Sequence, residues 1–228
     1  MRGVCPRGFP NHRACPRRAR PHPLRVIRAA LAFFFAVLLP LVAAPEKPDE
    51  IAIQILAPLL DPAKVATLKG DRPANVRLNK VLGWLKTARQ AGGDASGVLD
   101  RAQVAAGYFG TVGAQADKAA IIWSRKRLED FGCFTPAGIA KLKKGGSPQI
   151  SKGKHSGDSI ARDHVLPRSI VPELEARFYN LEALPARENL AKSAKITDRE
   201  VTLARRWKRE GLLSAAGLAA VEGSWKNQ

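Results

Sequence analysis

A run of glycine, serine and lysine, KKGGSPQISKGKHSGD at Lys143–Asp158, separates two kinds of hydrophobic pattern. Before it, apolar residues recur at helical spacing. After it they fall into short β-branched runs that end at proline. A period of 3.6 and a period of 2 cannot be satisfied by one kind of element. The chain is therefore expected to be α+β and mainly helical, with a helical bundle over residues 45–145 and a smaller strand-containing module with C-terminal helices over 146–228.

PEKPDE, residues 45–50, reads as a linker. Asp61-Pro62 supplies a cap and a first-turn proline for a helix through AKVATL. In ANVRLNKVLGWLKTARQAGG the apolar residues Val76, Leu78, Val81, Leu82, Trp84 and Leu85 keep close to helical period and stop at Gly92-Gly93. GVLDRAQVAAGYF and GAQADKAAIIWSRKRLEDFG repeat the style, and Thr135-Pro136 caps a short helix, AGIAKLKK. Trp84 and Trp123 are expected in the bundle core. Beyond the divide, SIARDHVLP and ARFYNLEAL read as two short strands. Pro185 then opens a helix, ARENLAKSAK. The tail from Ile196 gives one or two more helices, capped by Thr197 or Asp198.

The formal charge of +18 points to a polyanionic partner, but part of it belongs to the N-terminus. Residues 1–44 hold eight arginines and no acid, and Ala29–Ala44 is a run of sixteen residues without a charge. A basic stretch, an apolar stretch and small residues at its end describe a secretory signal peptide, cut after Ala43 or Ala44. The run is short for a membrane span of about 20 residues, so no stable span is expected after processing. An uncleaved N-terminal anchor is the alternative. The Pro/Arg-rich first residues also fit a translation start nearer Leu24 or Val26. Without residues 1–44 the chain keeps 30 basic residues against 20 acidic ones, still +10. Of three cysteines only Cys133 lies beyond that segment, so neither an internal disulfide nor a cysteine-bound zinc is expected. Cys133 reads as a small buried hydrophobe. The expected location is the periplasm or the exterior.

Strand, loop, strand and helix place a group of polar residues together. His164 ends the first strand beside Asp163, and Asn180 lies on the second. Asn189, Lys192 and Ser193 share one face of the helix. Cutting a phosphodiester needs a base near neutral pH, which histidine supplies, and a means of stabilising negative charge on phosphate. Asp163 and the Asn189 amide oxygen suit a hard divalent cation, Mg²⁺ or Mn²⁺. A neighbour such as Asn180 can hold the histidine, and Lys192 can neutralise phosphate charge. Arg168, Arg187 and Lys195 are candidate phosphate contacts, although solvated charges are common on any surface. The lysines of the 143–158 loop could also touch phosphates. His155 is expected to be solvated or in contact with substrate, and Trp207 of RRWKRE to be a packing residue.

DHVLP, a central asparagine, and an asparagine followed three residues later by lysine resemble the HNH, or ββα-metal, nucleases. The resemblance covers roughly residues 160–195, through Asp163-His164-Val165-Leu166-Pro167, Asn180, Asn189 and Lys192. It implies that His164 is the general base, that Asp163 and Asn189 bind one divalent metal, and that Asn180 orients the base. It further implies an endonuclease acting on DNA or also RNA. No sequence-reading element stands out, which favours low specificity. Many relatives carry zinc-knuckle cysteines; this chain has Pro185 and Glu188 flanking the helix start instead. Two other functions compete: a non-catalytic nucleic-acid-binding module of the cell envelope, and an envelope protein whose basic face meets acidic lipid or glycan. The sequence leaves oligomeric state open.

Overall fold

The computed structural model describes residues 48–69 and 72–227. The expected export segment, 1–44, lies outside them. The described residues belong to one compact unit spanning 45–228. They are mainly helical with one small antiparallel sheet, an α+β arrangement. No helix among them is long and apolar enough to cross a membrane.

Six helices come first: α1 (Pro48–Leu60), α2 (Pro62–Ala66), α3 (Pro73–Gln90), α4 (Ala95–Ala105), α5 (Val112–Asp130) and α6 (Pro136–Lys143). Their starts follow local chemistry. The side chains of Asp61, Asp94, Thr111 and Thr135 each accept a backbone N–H from the first turn of the helix they precede. The expected linker 45–50 is helical from Pro48, because Asp49 and Glu50 suit the positive end of a helix and Glu50 pairs with Arg101 of α4. Gly83 lets α3 and α6 cross closely. A Cβ there would sit 2.8 Å from the Lys143 nitrogen and 3.0 Å from the Leu142 Cβ.

The strands are β1 (Ile160–His164) and β2 (Leu181–Pro185), antiparallel, with Asp163 opposite Glu182 and His164 opposite Leu181. Two 3₁₀ turns, Pro172–Leu174 and Phe178–Asn180, lie between them. The second strand is thus shorter than ARFYNLEAL, and Asn180 sits on a turn just before it. The Asn180 N–H bonds to the Arg177 carbonyl (3.0 Å) and its side chain to the preceding loop, which holds this segment out of the ladder. Then follow α7 (Ala186–Lys192), α8 (Asp198–Arg209) and α9 (Ala215–Lys226). Thr197 and Glu200 form a reciprocal capping box at the start of α8.

The bundle and the hairpin share a core. Ile160, Phe178, Leu181 and Ala183 are buried with Leu56, Leu78, Leu82, Ile121 and Leu142. A second core gathers Val165, Leu166, Leu174, Val201, Trp207 and Val221 under the C-terminal helices. Trp84 packs against the first core, Cys133 is buried in it, and Trp207 is buried in the second. Trp123 departs from expectation and is 43% exposed. The buried stripe of α5 runs through Ala114, Ile121, Ser124 and Leu128, which turns Trp123 outward beneath the Arg127 guanidinium.

Candidate active site at the hairpin end

Alternation along the hairpin decides which side chains meet. Ile160, Arg162, Ala183 and Leu181 face the bundle, while Asp163 and Glu182 face α7. Two carboxylates directly opposite each other repel. Lys192 of α7 resolves this. Its Nζ donates to Asp163 Oδ2 (2.8 Å), Glu182 Oε1 (2.9 Å) and the His164 carbonyl (2.8 Å). Arg199 of α8 adds a second cation, 2.7 Å from Glu182 Oε2. Burial would raise the Glu182 carboxyl, but the bonds and charges of Arg199 and Lys192 outweigh it and hold the group below its ordinary range. An ammonium has three hydrogens, and all three of Lys192 are engaged. The expected role of Lys192 in neutralising phosphate is therefore not what these contacts describe; the residue braces Asp163 instead.

Asn189 lies on α7, which ends at Lys192 so that Ser193 falls just past the helix rather than on its face, and the Asn189 terminal amide reaches Asp163. With nitrogen turned to the carboxylate it donates to Oδ1 (2.9 Å) and Oδ2 (3.3 Å). A half-turn of the amide would bring its oxygen beside the Asp163 carboxylate instead, two oxygen donors of the kind a hard divalent ion takes. Among the described residues no group of three or more His, Cys, Asp or Glu could hold a metal, so further ligands at Asp163 and Asn189 would come from solvent and substrate.

His164 ends β1 with its Nε2 3.0 Å from the Glu175 carbonyl. A carbonyl only accepts, so in the neutral ring Nε2 carries the proton and Nδ1 presents its lone pair. Glu175 is held in place by Asn180, which is fully buried. Asn180 Oδ1 accepts the Leu166 N–H (2.8 Å), and Nδ2 donates to the carbonyls of Leu166 (3.0 Å) and Leu174 (3.3 Å). Its own carbonyl accepts the Val165 N–H at 2.8 Å. The contacts of Asn180 thus run to the loop rather than to the His164 ring. Asp117 of α5 anchors the same turn by accepting the Tyr179 N–H (3.1 Å), and burial pushes its carboxyl up to about 7.

Asp163, His164, Arg168 and Asn189 line one cleft of about 200 Å³, together with Arg72, Ser169 and Ser193. Arg168 also pairs with Glu175 (3.2 Å). Arg187 and Lys195 are exposed but lie outside the cleft lining. His155 is not solvated. Its Nε2 lies 2.8 Å from Glu188, its ring meets Phe131 edge-on, and its loop is fastened by Ser151 and Lys152 N–H groups on the Phe131 carbonyl. Sequence reasoning missed Arg72, which is over ninety positions from the motif, and Glu182, which the hairpin register alone would have placed opposite Asp163.

No protein-family model matches this chain, and neither a curated protein nor a solved structure does.

Proposed function

We propose that the chain is a metal-dependent endonuclease of HNH type that hydrolyses phosphodiester bonds in DNA, with RNA as a second substrate, and that it works outside the cytoplasm. The observation carrying this reading is the meeting of Asp163, His164 and Asn189 in one cleft, with His164 held through Nε2 so that Nδ1 presents its lone pair. The basic excess outside residues 1–44 suits a polyanion.

Each residue has a task in that reaction. His164 takes a proton from the attacking water at Nδ1. The Glu175 carbonyl holds the ring in one orientation and tautomer. Asn180 fixes the loop that bears this carbonyl. Asp163 and Asn189 would hold Mg²⁺ or Mn²⁺, whose bound state supplies charge stabilisation at the phosphate oxygens. Lys192 keeps Asp163 aimed while Glu182 takes up the surplus positive charge.

The test is conversion of supercoiled plasmid to nicked and linear forms by residues 45–228 with Mg²⁺, Mn²⁺ or EDTA. Metal-dependent nicking, with Asp163→Ala and Asn189→Ala shifting the metal titration, supports the reading. Salt-sensitive binding without cutting under any metal would instead identify a nucleic-acid-binding module.

A further inference from the structure

Two non-glycine residues among those described have positive φ: Arg72 (φ 49°) and Ser193 (φ 53°). They are far apart in sequence and lie on different elements, yet both line the cleft that holds Asp163 and His164. Side chains with a Cβ avoid this region, and strained backbone persists where the surroundings impose it, often at functional sites. The position of Arg72 at the start of α3 does not explain the strain, since its side chain makes no capping bond there.

A tether accounts for where Arg72 is placed. Its carbonyl accepts the Asn75 N–H (3.0 Å), and the Asn75 side chain donates to the Arg162 carbonyl (2.9 Å) in β1. Arg162 directly precedes Asp163, so the first turn of α3 is fastened to the strand one residue from the site. The local electrostatics are also favourable. The Asp163 carboxylate is already matched by Lys192, and Arg168 is a second cation on the rim, partly committed to Glu175. A guanidinium in the cleft faces no uncompensated acid in the Asp163–Lys192 pair and suits a phosphate oxygen pair.

We propose that Arg72, supplied by the helical half, is a substrate-binding residue that grips a backbone phosphate of the nucleic acid entering the cleft, with the Ser193 turn forming the opposite wall. This rests on the nuclease reading for its substrate. It also assigns the bundle a part in binding that none of the motif residues carries.

The test measures binding of a short DNA duplex in EDTA, where nothing is cut, as a function of salt. Arg72→Gly is the informative variant because glycine accepts the positive φ. It should leave the melting temperature unchanged or raised, weaken binding several-fold, and lower the slope of log K against log [salt] by about 0.9, the loss of one phosphate contact. Lys126→Ala, on the outer face of α5, should change neither. In Mg²⁺, Arg72→Gly should raise KM more than it lowers kcat. An unchanged salt slope in Arg72→Gly overturns the proposal, as does a fall in binding matched by loss of fold. If the wild type binds but cuts under no metal, the nuclease reading fails while the slope comparison still decides the role of Arg72. Absence of any binding by the wild type overturns both.

Discussion

Glu182→Gln isolates the charge of one oxygen acceptor at the base of the site. Glu182 is 4% exposed and receives Lys192 at 2.9 Å and Arg199 at 2.7 and 3.5 Å. The amide keeps the shape and one acceptor but loses the charge, and its NH₂ group faces two cations. Hydrogen bonds to charged partners contribute about 1.5–3 kcal/mol each, and breaking a buried pair from one side costs about 3–5 kcal/mol. Arg199 is largely exposed and can turn to water, so a loss of about 2–4 kcal/mol is expected. For a domain of this size that is a fall in Tm of about 4–16 °C. The pH dependence is a sharper check. The folded Glu182 carboxyl titrates below its ordinary value, so its contribution is complete above the unfolded pKa and disappears as pH falls through the folded one. Denaturant unfolding of both proteins should show the full difference at pH 7 and a shrinking one below about pH 4, where the unfolded carboxyl takes up its proton before the folded one does. A difference under about 0.5 kcal/mol at pH 7, or one that persists unchanged to pH 3, would refute the account of this network.

Other residues yield equally direct expectations. Asp117 has its carboxyl raised to about 7, so the folded state loses stability as pH climbs from about 4 through 7. Asp117→Asn keeps an acceptor for the Tyr179 N–H and should flatten that slope, gaining on the order of 2 kcal/mol at pH 8, about half of what the full shift implies because Asp117 retains some solvent contact. A wild-type stability curve that is flat from pH 5 to 8 would contradict this. Asn180→Ala leaves the Leu166 N–H and the Leu166 carbonyl without partners, while the Leu174 carbonyl keeps the Arg177 N–H, and should cost about 2–4 kcal/mol, read by denaturant midpoint; a loss below 1 kcal/mol would show that the loop does not depend on it.

Much of the fold is legible in the sequence because the signals are local. Asp61, Asp94, Thr111, Thr135, Thr197 and Ser214 each cap the helix that follows, and the Gly/Ser/Lys divide does fall between the helices and the hairpin. What the sequence hides depends on partners from elsewhere. Asn180 looks like a strand residue until its bonds to Leu166 and Leu174 are seen. Lys192 looks like a free cation until the register puts Asp163 opposite Glu182. Trp123 has the spacing of a core residue, yet the buried stripe of α5 passes beside it. His155 sits in a stretch of loop composition that the Phe131 carbonyl and Glu188 hold in place. Arg72 carries no signal at all in one dimension, since bonds from Asn75 and Asn79 of α3 to Arg162 of β1 bring it to the cleft.

We propose that His164, held by the Glu175 carbonyl, is the base of a metal-dependent nuclease. Plasmid cleavage by His164→Ala in Mg²⁺, with circular dichroism and melting recorded alongside, tests it most directly. The account predicts cleavage lowered about 10²–10⁴-fold at retained fold and retained DNA binding. Cleavage within threefold of wild type by the folded variant would contradict it.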